Sequence, residues 1–100
     1  MKTPRAPLET FPYDVADRLT SARAMQGYLD ASLIEFPDDT ESFSRALGDV
    51  ARAFGMTAIA RKTGLGRESL YKSLTRRAPS FATVMKVLAA VGVQFRVVER

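Results

Sequence analysis

The chain has neither cysteine nor histidine among its 100 residues. Without Cys there is no disulfide framework and no thiolate zinc site. Without His, the commonest metal ligand and the commonest general base are missing. No glycine-rich phosphate loop and no metal-ligand spacing occurs, and the carboxylates are spread along the chain without a recognisable pair. An enzyme is therefore not expected, and neither is a catalytic residue, a cofactor or a metal. No apolar run approaches the length of a membrane span. The first residues, Met1 to Pro12, hold three prolines and no apolar core of the secretory kind, so a soluble, cytoplasmic protein without a membrane partner is expected.

What the chain does have is an uneven charge. Residues 1–55 carry six Lys/Arg and nine Asp/Glu, whereas residues 56–100 carry nine and two, so the halves have net charges of −3 and +7. A basic half on an otherwise acidic chain points to a polyanion as partner, or else to a solvated basic surface.

Hydrophobic spacing and capping residues predict an all-α fold: a bundle of five to six helices with one short C-terminal β-strand. Pro4, Pro7 and Pro12 make residues 1–12 an irregular arm, and residues 13–100 read as one domain. Asp14 is placed to cap a short helix through Leu19, and Thr20 to cap a second from Ser21 to about Ile34, with Ala22, Met25, Leu29 and Leu33 at helical spacing. Phe36-Pro37-Asp38 breaks the chain. Asp39 then caps a longer helix to about Phe54, striped by Phe43, Leu47, Val50 and Phe54, with Gly55 as a left-handed stop. Thr57 is expected to cap a helix through Thr63, Gly64-Leu65-Gly66 to turn, and Arg67 to Thr75 to form another short helix. After Arg76-Arg77-Ala78-Pro79, Ser80 caps a helix to Val91 with Phe81, Val84, Met85, Leu88 and Val91 on its apolar side, and Gly92 stops it. Residues 93–98 are β-branched and roughly alternating, which predicts a strand.

Two short helices joined by a glycine-bearing turn are the helix-turn-helix pattern. In GMTAIARKTGLGRESLYKSL, Ala60 falls where the helices cross and a larger side chain would push them apart. Gly64, four residues on, suits a turn with positive φ. Leu65 closes the turn, and Ile59, Leu70 and Leu74 point inward and set the interhelical angle. The outward residues of the second helix are long, polar or hydrogen-bonding, as a major-groove reader requires. An ordinary helical hairpin is the plainer alternative.

The segment GMTAIARKTGLGRESLYKSL resembles the Cro/phage-repressor type of helix-turn-helix. The longer stretch ALGDVARAFGMTAIARKTGLGRESLYKSL, followed by PSFATVMKVLAAVGV, resembles a narrower family, the addiction-module antidotes or HigA-type prophage DNA-binding proteins. The likeness spans about Tyr13 to Val98 and is densest from Ala46 to Val93. Gly66 departs from the pattern, which favours Ser or another capping side chain there. The resemblance implies an antitoxin that represses its own operon and neutralises a RelE/ParE-like toxin. The alternative is a stand-alone prophage-type regulator with no toxin partner, and an adjacent reading frame for a small basic protein would separate the two.

On the helix-turn-helix reading, Arg67 is the first candidate for a base contact, because a guanidinium at the start of the second helix can reach guanine O6 and N7 together. Glu68 either accepts from cytosine or favours its own helix N-terminus electrostatically. Ser69 and Lys72 complete the base-contact set, with phosphate as the alternative partner for each. Phosphate contacts are assigned to Thr57, Arg61, Lys62, Tyr71, Arg76 and Arg77, with Tyr71 alternatively packing on the last helix. Asp30, Glu35, Asp38, Asp39 and Glu41 cluster near one turn, either as a surface for a basic toxin or as a solvated loop. A lone strand leaves both edges unpaired, so Val93, Phe95 and Val97 must pair with a second copy, with the N-terminal arm or with a partner's sheet. The favoured choice is a second copy, giving a homodimer that reads two half-sites of a double-stranded operator.

Overall fold

A computed structural model describes residues 18–76 and 78–100. The expected arm over residues 1–12, most of the short helix expected from Asp14, and Arg77 lie outside these residues. The described chain forms five helices: α1 (Ala22–Glu35), α2 (Thr40–Phe54), α3 (Met56–Thr63), α4 (Arg67–Thr75) and α5 (Phe81–Val91). No strand forms among the described residues.

Helix α2 is the organising element and touches each of the other four. Its Leu47, Val50 and Ala51 are fully buried, as are Ile59 of α3, Leu70 of α4 and Val87 of α5. Met25 and Leu29 close the core from α1. Each of the larger buried side chains contributes about 1.5–3 kcal/mol by leaving water.

Three helices start on a capping side chain. Ser21 Oγ accepts from the Ala24 N–H at 3.1 Å, Asp39 Oδ1 from the Ser42 N–H at 3.1 Å, and Ser80 Oγ from the Thr83 N–H at 3.1 Å. The first differs from expectation, which gave this cap to Thr20. Ser21 takes the extended backbone (φ −146°, ψ 160°) that aims its hydroxyl at the first turn.

Thr57 does not cap α3 either. Gly55 is both the C-cap of α2 and the N-cap of α3: its N–H donates to Ala51 O at 2.9 Å, and its carbonyl accepts from the Ile59 N–H at 3.0 Å. With the two helices sharing one junction residue, Thr57 is already inside the second. Gly55 has the positive φ expected of a helix stop, 114°, but its ψ of 114° takes it out of the left-handed helical region.

The buried face of α5 is rotated from the one expected. Val84, Leu88 and Val91 are buried as anticipated, joined by Val87 and Ala90, whereas Phe81 is 70% and Met85 45% exposed. At 3.6 residues per turn, Val84, Val87, Leu88 and Val91 share one face, and Phe81 and Met85 fall at its edge. Leu33 is likewise outward at 36% exposure, because α1 packs chiefly on α2 alone and needs only a narrow stripe.

The segment expected as a strand, 93–98, runs without ladder pairing. Phe95 turns in instead, its ring 5.7 Å from that of Phe43 and 6.0 Å from that of Phe81, the latter nearly parallel at 3°. Val97 is fully exposed. A strand exists only against an edge, and the described part of one chain offers none.

Candidate nucleic-acid interface

The short helices α3 and α4 are held at a fixed angle by Ile59, Leu70 and Leu74, all buried, with Ala60 and Leu65 half-buried beside them. Gly64 is the αL stop of α3 (φ 77°, ψ 4°), and its N–H donates to Ala60 O at 3.0 Å. A methyl group placed there would meet nothing within 4 Å. The position therefore requires glycine for its backbone angle, not for space.

Thr63 adds a polar clasp that sequence reasoning missed. Its hydroxyl donates to Ile59 O at 2.8 Å and accepts from the Leu65 N–H at 3.2 Å, tying the end of α3 to the turn. A threonine one residue before a helix-stopping glycine is the signal that could have found it.

The outward residues Arg67, Glu68, Ser69, Tyr71 and Lys72 are all exposed, as are Thr57, Arg61 and Arg76. A cleft of about 850 Å³ gathers Thr57, Arg67, Glu68 and Tyr71 together with Arg52, Gly55 and Met56. The N-terminal ends of α3 and α4 thus lie side by side. These are also the two helices that start on glycine, Gly55 and Gly66, with no side chain bonded to their first-turn N–H groups. Their positive dipole ends open toward one surface. Tyr71 is 58% exposed in this cleft.

Glu68 reaches Lys72 at 3.9 Å, one turn along α4, with both side chains strongly exposed. Such a pair is worth little in water and separates easily. Arg76 lies beyond the other end of α4 and lines a second groove, between α1, α2 and the end of α4. Lys62 is not brought to the cleft. Its ammonium donates to Ala90 O at 3.3 Å near the end of α5 and sits 5.0 Å from the centre of the Phe54 ring.

Arg52 is the cleft residue absent from the sequence reading. Its guanidinium donates to Asp49 Oδ1, and the other oxygen of Asp49 accepts from the Tyr28 hydroxyl at 2.6 Å. Burial, and next the bond to Asp49, push the Tyr28 phenol above its ordinary range, so it stays a neutral donor. The only visible signal is an arginine in the last turn of the helix preceding the turn motif. The contact between Tyr28 and Asp49 joins residues 21 apart and leaves no periodic trace.

No group of three or more Asp or Glu among the described residues is placed to hold a metal ion. No helix there is long and apolar enough to cross a membrane.

Residues 9–99 match the family described as "Probable addiction module antidote protein". The chain belongs to this antidote family. That is a family of antitoxins, not of enzymes, and its members imply a cognate toxin as partner. An uncharacterized protein of Haemophilus influenzae is 50% identical over 86 residues, covering 85% of this chain and 87% of the relative. No solved structure matches.

Proposed function

We propose that this antidote is a Cro/repressor-like, HigA-type helix-turn-helix protein that binds its own operator, represses its operon and neutralises a RelE/ParE-like toxin. The observation that carries the reading is the cleft in which two uncapped helix N-termini meet Arg67, Glu68 and Tyr71 on an exposed helix. Helix N-termini attract phosphate. An α-helix with its side chains is about 10–12 Å across, which the roughly 12 Å wide major groove admits. In this arrangement α4 is the reading helix, with Arg67, Glu68, Ser69 and Lys72 toward base edges. Thr57, Arg61, Tyr71 and Arg76 contact phosphates. Lys62 is the weakest member of that set, since its ammonium already has partners within the fold.

The same reading makes the protein a homodimer in which residues 93–98 pair with those of a second copy. The exposed Val97 and Val98 and the absence of ladder bonds in that segment support this. The acidic residues Asp30, Glu35 and Glu41 of α1 and α2 are the side chains this reading offers to a basic toxin.

Fluorescence anisotropy with the DNA upstream of the gene, beside scrambled DNA at two salt concentrations, tests the DNA-binding reading. The expected result is much tighter binding to the upstream DNA that weakens steeply with salt. Equal, weak binding to both would overturn the operator assignment.

A further inference from the structure

Arg52 occupies a distinctive position. It lines the cleft with Thr57, Arg67, Glu68 and Tyr71, and also the groove that holds Arg76 at the far end of α4. Gly48 lies one turn earlier on α2, and a methyl there would be in ordinary contact with both Arg52 Nη1 and the Leu74 carbonyl oxygen, each 3.8 Å away. The guanidinium therefore rests along the seam between α2 and α4.

It is anchored from behind. Both carboxylate oxygens of Asp49 are used, one by Arg52 and one by Tyr28 of α1. Asp49 is shielded, with its side chain 21% exposed, while the side chain of Arg52 is 55% exposed. The bond to Asp49 takes one edge of a group that has five N–H donors. The remaining donors belong to a half-exposed side chain and lie along the groove that Arg76 also lines.

On the DNA-binding reading proposed above, we infer that Arg52 is a further DNA-backbone contact, aimed at a phosphate by a Tyr28–Asp49 brace on the inner side of the interface. Arg52 touches the nucleic acid, whereas Asp49 and Tyr28 are positioning residues. An arginine held in one geometry loses little freedom when it binds and presents a planar fork that matches phosphate oxygens.

Other features carry less. The rings of Phe43, Phe81 and Phe95 are already stacked on one another, and the Lys62 ammonium is satisfied within the fold.

The test uses the full chain, its upstream DNA and a random duplex, with affinity followed by anisotropy across several salt concentrations. A phosphate contact acts on any sequence, so the random duplex reads it even if the operator lies elsewhere. Arg52→Ala is expected to weaken both DNAs by about tenfold and to lower the slope of log affinity against log salt by about one. Arg52→Lys should retain the slope. Tyr28→Phe should weaken both DNAs severalfold with the slope unchanged, because a charge is misplaced and not removed. Circular dichroism melts of each variant separate these effects from unfolding, and Arg52→Gln keeps the aliphatic stem should the alanine variant melt early. An unchanged slope in a folded Arg52→Ala or Arg52→Gln variant overturns the inference and leaves the repressor reading intact. Failure of the unmodified protein to bind either DNA overturns both.

Discussion

Arg67 and Arg76 stand at opposite ends of one exposed helix, and their proposed roles differ accordingly. Arg67→Ala should relax discrimination at one base position, at a cost of about 1–3 kcal/mol against the preferred base. Arg76→Ala should weaken specific and random DNA alike. Competition binding with single-base variants of the operator distinguishes them, and equal losses in both mutants would remove the distinction. The interior is more demanding. Leu70 is fully buried where α4 meets the core, so Leu70→Ala should lower unfolding free energy by about 2–5 kcal/mol in chemical denaturation. Gly64 tests backbone, not packing: with φ at 77° and open space around it, Gly64→Ala should cost about 1 kcal/mol through its dihedral alone. These residues were legible in advance because each obeys a local rule: inward spacing, or a glycine where a helix must stop. Arg52 was not. Its significance arises from Asp49 beside it and Tyr28 on another helix, and no local rule connects the three.

At the scale of elements, the way helices begin divides them into two groups. α1, α2 and α5 are closed by Ser21, Asp39 and Ser80, while α3 and α4 start on glycine. Ser80→Ala should therefore destabilise by about 1 kcal/mol. Gly66→Ser should stabilise by a few tenths, about the difference between those N-caps. Thermal melts of the two variants should move in opposite directions. Asp39 adds a pH signature. The hydrogen bond from the Ser42 hydroxyl, and then that from its backbone N–H, hold the Asp39 carboxyl below its ordinary range. A group with a depressed folded-state value stabilises above its unfolded value, and that contribution is lost as pH falls through the folded one. Acid titration of Asp39→Asn should thus show a shallower loss of stability on the acidic side than the parent chain. Most elements could be anticipated to within a residue or two, since caps and periodicity are local signals. The exceptions are instructive. Thr20 and Thr57 are good capping types, but Ser21 and Gly55 hold the non-helical backbone that a cap requires.

On the scale of the whole molecule, the C-terminal segment is where pairing must be decided. Residues 93–98 bring no ladder partner from the described chain, and Phe95 rests against Phe43 and Phe81. Deleting Val93 to Arg100 should halve the solution mass measured by light scattering, if the segment joins two copies. An unchanged mass would count against that interface. Arg100 bonds Asp38 at 2.6 Å, but both side chains are highly exposed, so Arg100→Ala alone should leave the melting temperature unchanged. The amino-acid sequence by itself determined the helical class, the turn at Gly64, the inward residues of α3 and α4 and the exposure of the α4 face. All of these follow from spacing along a single helix or from one residue's allowed backbone. Only the tertiary structure decided which face of α5 is buried, where Lys62 sends its charge, and that Tyr28, Asp49 and Arg52 form one bonded group. Those outcomes depend on how separate helices cross, and helix crossing is set by the combined shape of many side chains distant in sequence.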